Sequence, residues 1–283
     1  ILSGEDYWCQ GYSEPGSGSD LASLKLKATS EGDFLRLNGS KIWTSHAHYA
    51  NKMFLLVRTE DSQKPQHGIT FLLLDMDSPG IRVEPILFAS GTHEVNQVFF
   101  DDVSVPKSNI VGMENEGWKV AKYLLEFERG GSTGSNAAQQ VGLHRVKNLA
   151  KLTPKEGGSL LDDASFQRKL NETEIQLESI QYNEFRLMAA LAKGESPGPE
   201  YSVLKTLSAD IQQQLTELSV EAIAEFAAAH QPEARTVGAD TVSIGHDDGK
   251  MAFTQYFNLR ASSIAGGTNE VQKNIIAKMV LGL

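Results

Sequence analysis

The sequence predicts an α+β protein, with a β domain of barrel or sandwich type over residues 1–112 and an up-and-down helical bundle over residues 113–283. Two observations predict it. Up to about residue 112, short alternating or apolar runs are punctuated by turn residues, which is how half-buried strands read. Beyond it, apolar residues recur every three or four positions, the period of a helix buried on one side.

The β half contains runs over Leu24–Ala28, Phe34–Trp43, Met53–Val57, Ile69–Leu74 and Val98–Val105, and Asn38-Gly39 inside the second run is a hairpin signal. The helical half opens on a period from Trp118 to about Leu152. It continues through Phe166, Leu170, Leu177, Ile180 and Leu187, then through Leu204, Leu207, Ile211, Leu215 and Leu218. Two segments follow, Met251–Leu259 and a last helix from about Asn269, where Asn269 and Gln272 read as a capping box. Thr153–Asp163 and His230–Lys250 read as connections, and no internal repeat or low-complexity tract is visible.

With 283 residues, 40% hydrophobic and 22% charged, the chain has the balance of a globular protein rather than a disordered one. A net charge of -10 argues against a general nucleic-acid or anionic-membrane partner. The single Cys9 excludes an internal disulfide framework and a cysteine-rich zinc site, and fits a reducing compartment. No run approaches the roughly 20 apolar residues of a membrane span, and no signal peptide is visible. The first residue is Ile1 rather than methionine, as expected of a piece of something longer.

The stretch LLEFERGGSTG, residues 124–134, interrupts a helical period with two glycines, each costing about 1 kcal/mol relative to alanine. Glu126 and Glu128 point about 200° apart on a helix, so they cannot serve one site. Glu126 shares its side with Lys119 and Lys122, the pattern of a solvated face, whereas Glu128 shares its side with Leu124, Leu125, Gly131, Ser132 and Ser135. That second stripe turns from apolar to very small. It suits either a flat ligand lying against the backbone beside a buried acid, or tight helix packing with Glu128 paired to a cation.

Near the start, WCQGYSEPGSGSD (residues 8–20) is a loop whose backbone N–H groups and Ser13 and Ser19 hydroxyls suit a phosphate or a heteroaromatic edge, or simply a plain turn. It is neither a Walker loop nor a GxGxxG. Trp43 taken alone reads as a core aromatic at a strand end. His46 and His48 are spaced as H-x-H, but no third metal ligand is indicated, so no metal site is expected.

Taken together, SEPGSGSD, NGSKIWTS, FFDDVSVP, FERGG and AGGTNEVQKNIIA, in that order, resemble the acyl-CoA dehydrogenase family over essentially the whole chain. The likeness is greatest to a bacterial, cytoplasmic branch that oxidises CoA thioesters of branched, dicarboxylic or steroid side-chain acids. The family has an N-terminal helical domain, a middle β domain and a C-terminal helical bundle, and this sequence looks like the last two. The resemblance implies FAD. It points to Tyr12, Ser13, Gly18 and Ser19 for the flavin and its phosphates, to Trp43, Thr44 and Ser45 against the ring, with Ser45 at N5, and to Thr268 and Glu270 as own-chain contacts. It also implies an electron-transfer flavoprotein as acceptor and a dimer or tetramer.

The implied reaction removes the α-proton of an acyl-CoA to a carboxylate and the β-hydride to flavin, giving a trans-2-enoyl-CoA. Many members carry the base just before the Gly-Thr of the C-terminal motif, where this chain has Gly266. Others carry it on the bundle helix before an arginine, which Glu128-Arg129 matches. The resemblance therefore gives Glu128 as base, Arg129 as an orienting group and the Gly266 N–H as the group that polarises the thioester carbonyl. The family's RxxFG and QxxGGxG segments, which reach a neighbouring subunit's FAD, are replaced by KLTPKEGGSL and FAAAHQPEART. That departure suggests a hetero-oligomer with a related subunit; a homodimer with altered contacts, a non-catalytic companion subunit and an oxidase of the same fold are the alternatives.

Overall fold

A computed structural model of the chain describes residues 2–130, 135–195, 198–236, 238 and 240–283, with the backbone alone for 126–130 and 135. The first half forms seven strands, five of them on the predicted runs: β1 (Trp8–Gly11), β2 (Lys27–Glu31), β3 (Phe34–Ser45), β4 (Lys52–Arg58), β5 (Ile69–Asp75), β6 (Ile81–Leu87) and β7 (His93–Pro106). They make one mixed sheet in the order β1-β4-β2-β3-β7-β6, with β5 on β4. β5 pairs with β4 along its whole length, so β1 and then β2 follow one another along β4's other edge. Two strands sharing one edge turn the sheet partway toward a barrel around a single core. Leu35, Leu37, Met53, Leu55, Val57, Leu72 and Val98 fill that core and are inaccessible to water, each side chain contributing roughly 1.5–3 kcal/mol of burial.

Asn38-Gly39 does not reverse the chain, because β3 runs straight through it. The β2–β3 turn lies at Gly32-Asp33, between the paired Glu31 and Phe34. Asn38 serves a bulge instead: β7 carries an extra residue opposite, Asp102 is left-handed at φ 51, and Asn38 both donates to the Asp102 carboxylate at 2.9 Å and accepts from its N–H at 3.0 Å. Gly39 then passes so close to Leu26 that a Cβ would lie 2.9 Å from its Cδ1. Sequence pattern alone also overlooks β1, four residues long, and β6, an edge strand that carries an exposed proline, Pro85.

Helix α1 (Gly117–Gly130) packs Trp118, Val120, Ala121, Leu124 and Leu125 against Tyr12, Leu24, Leu56, Ile69 and Phe71. For this reason the compact unit built on the sheet runs to Phe127, past the change of periodicity near residue 112. At the helix start, a Cβ on Gly117 would stand 2.3 Å from the Phe71 backbone nitrogen, so only glycine lets the two backbones meet.

The second unit, Glu128–Leu283, holds α2 (Ser135–Leu152), α3 (Ala164–Ala192), α4 (Glu200–Ala222), α5 (Ala252–Asn258) and α6 (Asn269–Ile276). Residues 131–134, where the glycines interrupt the expected long helix, lie outside the described residues. On α3 the buried positions Phe166, Leu170, Thr173, Leu177, Ile180, Glu184 and Leu187 alternate steps of four and three, the seam spacing of helices packed at a shallow angle. Asp163 caps α3 by accepting from the Phe166 N–H at 2.9 Å. The connection before it folds as a small hairpin of β8 (Pro154–Lys155) and β9 (Gly158–Ser159).

The cap of α6 is Thr268, whose hydroxyl accepts from the Val271 N–H at 3.2 Å, rather than Asn269. Thr268 has the extended backbone a cap requires. Asn269 is buried instead, donating to Asp210 at 3.1 Å and accepting from Lys205 at 3.3 Å. Among the described residues no helix is long and apolar enough to cross a membrane.

Two glycine substitutions should act in opposite directions. Gly117→Ala forces α1 off β5 and is expected to cost about 1–3 kcal/mol. Gly142→Ala, on α2 where among the described residues only Leu215 Cδ1 stands near, at 3.6 Å, is expected to gain about 0.5–1 kcal/mol from helix propensity. Urea unfolding of the two variants beside wild type measures both, and equal signs would contradict the packing described.

Candidate cofactor site

The chain leaves β1 into the serine- and glycine-rich loop with Tyr12 turned inward, its ring edge-on to Phe54 and Phe71 at 5.9 and 6.4 Å. Tyr12 is thus a core side chain, and what it offers a ligand is backbone. Glu14 and Ser17 close a tight turn by exchanging N–H to carbonyl bonds of 2.8 and 3.0 Å, and the Ser17 hydroxyl donates to the Asp20 carbonyl at 2.7 Å. Beyond the turn Gly18 and Ser19 are exposed, and nothing lies within 4 Å of where a Gly18 Cβ would stand.

A buried ion pair fastens this loop to the sheet. Lys41 is fully buried at an inward position of β3, and its Nζ donates to Glu14 at 2.8 Å and to the Tyr12 carbonyl at 3.0 Å. Glu14, 8% exposed, also accepts from the backbone N–H groups of Lys25 at 2.6 Å and Leu26 at 2.9 Å. Burial pulls the Lys41 ammonium down to about 8, with the Glu14 charge acting against it. Neither residue figures in the sequence-based site. The available signal was a lysine among the inward-facing leucines of β3, a place that demands a carboxylate partner.

Two residues beyond Lys41 the strand bulges. The pairing passes from Lys41 opposite Val98 to Thr44 opposite Asn96, so β3 holds one extra residue, and Trp43 takes up the slack at φ 60. That conformation in a bulky residue costs on the order of 1–3 kcal/mol. Trp43 is 57% exposed, so it is not the core aromatic that its position at a strand end suggests in isolation. Ser45 is exposed as well, whereas Thr44 points into the sheet and only its backbone can share a ligand with them. The Ile42 N–H donates to the Ser13 carbonyl at 2.9 Å, joining bulge and loop.

Asn96, fully buried, donates to the Thr44 carbonyl at 3.0 Å and to His48 Nδ1 at 3.0 Å, and its Oδ1 accepts from His93 Nε2 at 2.7 Å. The His48 and His93 rings stack 4.0 Å apart, and His46 Nδ1 meets the Tyr7 hydroxyl at 2.6 Å. Burial, followed by the neighbouring His93, lowers the His48 pKa. Among the described residues no group of three His, Cys, Asp or Glu is arranged to hold a metal ion.

On the helical unit, Gly266 is exposed and left-handed at φ 67, just ahead of the Thr268 cap. Glu270 lies in the first turn of α6, where its own backbone N–H and then the Thr268 hydroxyl hold its carboxyl below the usual range. Glu128 and Arg129 fall in the last turn of α1, and their side chains lie outside the described residues, as do Gly131 and Ser132. The structure brings Tyr12 and Ser13 together with Trp43, Thr44 and Ser45, and groups Gly266 with Thr268 and Glu270.

The sheet-side residues fit a flavin. The hydroxyls of Ser13, Ser19 and Ser45 bond no described residue, and the exposed Trp43 indole offers a flat aromatic face.

Residues 9–103 match the family model for the acyl-CoA dehydrogenase middle domain, and residues 115–281 match that for the acyl-CoA dehydrogenase C-terminal domain. The chain is 37% identical over 281 residues to acyl-CoA dehydrogenase IpdE1 of Mycobacterium tuberculosis, covering 98% of this chain and 67% of that protein. It is 28% identical to the human mitochondrial short-chain specific acyl-CoA dehydrogenase, over 99% of this chain and 64% of that one. Among solved structures it aligns with the ChsE4–ChsE5 complex of Mycobacterium tuberculosis at a TM-score of 0.81 and 30% identity, covering 100% of this chain and 70% of that one. The Tcur3481–Tcur3483 steroid ACAD aligns at 0.83 and 26% identity, covering 100% and 69%. With the middle-domain and C-terminal models matched in order, and a relative 37% identical over nearly the whole of this chain, the chain belongs to the acyl-CoA dehydrogenase family, oxidoreductases acting on acyl-CoA.

Proposed function

We propose that this chain binds FAD through its sheet unit and dehydrogenates an acyl-CoA thioester with Glu128 as the base. The observation that carries the reading is the Trp43–Ser45 bulge, a strained segment with an exposed indole and an unpartnered hydroxyl, bonded to the Ser13 loop. Ser13, Gly18 and Ser19 would hold the cofactor's phosphate end. Trp43, the Thr44 backbone and Ser45 would meet the flavin ring, and Thr268 and Glu270 would add contacts from the helical unit. Bound FAD supplies the acceptor for the β-hydride.

The remaining chemistry belongs to the chain. The Gly266 N–H bonds the thioester carbonyl and stabilises the charge that develops there as the α-proton leaves. Glu128 takes that proton at its carboxylate, and Arg129 orients the site. Removal from water raises a carboxyl pKa toward the working range of a base. Glu126, about 200° away on the same helix, takes no part.

The substrate we assign is an acyl-CoA of branched, dicarboxylic or steroid side-chain type, a choice supported by the steroid ACAD among the similar structures. An electron-transfer flavoprotein takes the electrons, and the bacterial cytoplasm is the site of action, in line with the mycobacterial relatives and the free Cys9. The place of RxxFG is occupied by the β8–β9 hairpin, and that of QxxGGxG by short 3-10 turns around Glu233–Arg235. A related subunit carrying both segments completes the assembly, a reading supported by the two-component ChsE4–ChsE5 and Tcur3481–Tcur3483 names. The same loss favours the second reading, a non-catalytic companion subunit.

Glu128→Gln decides between the two readings. It should leave FAD bound and lower the rate of acyl-CoA-dependent flavin bleaching by roughly 10²–10⁴-fold or more, while Glu126→Gln changes it little; unchanged bleaching in Glu128→Gln would leave the companion reading. For the assembly, native mass and flavin-to-protein ratio are the measurements. Expressed alone, the chain should hold FAD substoichiometrically, and with a paralogue bearing RxxFG and QxxGGxG it should form a mixed complex with one FAD per pair of unlike chains. A stable homo-oligomer with one FAD per chain would refute the hetero-oligomer.

A further inference from the structure

We propose that Asn96 and Lys41 are positioning residues that hold Trp43 in its left-handed conformation and so preset the indole and the Ser45 hydroxyl for the flavin; this rests on the FAD reading above. Trp43 sits at φ 60 with most of its side chain in solvent. A tryptophan buried in that conformation would recover the strain through packing. An exposed one recovers little, so the strain does not serve the folding of the sheet, and the conformation persists only because its flanks are fixed.

Both flanks are fixed by side chains with no exposure at all. Upstream, Lys41 binds the Tyr12 carbonyl and Glu14, and the Ile42 N–H binds Ser13. Downstream, the Asn96 amide binds the Thr44 carbonyl, in the peptide that joins Thr44 to Ser45. The orientation of that amide follows from its surroundings. A flipped Asn96 would set its oxygen against the Thr44 carbonyl oxygen, whereas the present one gives Oδ1 the His93 N–H and gives the second amide proton to a neutral His48 Nδ1. Both amide protons and the amide oxygen of Asn96 are thereby used in one arrangement with three partners, which leaves the Thr44 carbonyl a single place to stand. Groups held in place before a ligand arrives spare the ligand the cost of ordering them.

Asn96→Asp keeps the size and the acceptor for His93 but removes the donor to Thr44. In the full chain with its partner subunit, the FAD dissociation constant should rise at least tenfold. In the FAD-free protein, amide exchange across residues 42–46 should quicken at least tenfold while Leu35 and Leu37 on the same strand stay protected. Trp43→Gly supplies the complementary result: glycine takes φ 60 freely, so the FAD-free variant should be at least as stable to urea as wild type while binding FAD more weakly. Wild type and Asn96→Asp holding FAD equally, or a Trp43→Gly protein less stable than wild type, would overturn the clamp alone. A wild-type complex that takes up no FAD would overturn the flavin reading and the clamp with it.

Discussion

The candidate cofactor residues of the sheet unit depend on one buried ion pair. Lys41 and Glu14 lie 27 residues apart in sequence and 2.8 Å apart in the fold. Through them the loop after β1 is tied to the strand that carries Trp43. A buried pair of this kind adds little net stability over apolar residues of equal volume, but loss of one partner strands the other's charge at a cost of roughly 3–5 kcal/mol. Its value is specificity of arrangement: Glu14 spends its oxygens on Lys41 and on the Lys25 and Leu26 N–H groups, while Lys41 reaches back to Tyr12. Every one of those bonds ends on or beside a residue of the serine-glycine loop or the strand flanking it. A hydrophobic substitute would fill the same space without dictating where the Tyr12 carbonyl points.

Around that pair, ordinary packing supplies the platform and local exceptions mark the candidate site. The leucines and valines of β3, β4, β5 and β7 bury one face, and α1 covers a second apolar patch on Tyr12, Leu56 and Phe71. The exceptions cluster next to them: a charged residue on the inward face, an extra residue in β3, a left-handed Trp43 followed by a left-handed His46, and a Thr44 hydroxyl with no described partner. Local rules of propensity and polar satisfaction are broken together over six residues, from Lys41 to His46. Such concentrations are expected where function rather than stability sets the structure.

Much of the fold was legible in the sequence because burial writes itself as period. Five of the seven strands, and the α3 seam from Phe166 to Leu187, follow from spacing alone. What spacing missed was decided by contacts between distant residues. Asn38-Gly39 looks like a turn, yet its asparagine is used by Asp102, 64 residues on, and its glycine by the approach of Leu26. β6 hides because an edge strand with a proline and a half-exposed face has little period to show. Asn269 is a good cap by type, but the bundle takes its amide for Asp210 and leaves the capping to Thr268. In the candidate site, Ser13 and Trp43–Ser45 enter through resemblance and stand as a proposal, whereas the buried contacts of Glu14, Lys41 and Asn96 show no signal of that kind, since each depends on a partner that no local pattern names.

The C-terminal loop bears on where a base can stand. In AGGT the residue at the position many relatives give to a carboxylate is Gly266, at φ 67, followed by Gly267 at φ 91. Among the described residues nothing lies within 4 Å of where a Gly266 Cβ would stand, so space there would admit a side chain. Backbone shape disfavours it: a side chain at that φ puts its Cβ against the neighbouring carbonyl, a strain that glycine alone escapes freely. Loss of the carboxylate and adoption of the left-handed turn are therefore one structural choice, in which the loop keeps its N–H groups and gives up an acid. A loop of that kind can polarise a carbonyl but supplies no carboxylate to take a proton. Under the proposed function the acid therefore comes from another element, and Glu128, standing before Arg129 near the end of α1, is the residue proposed for it.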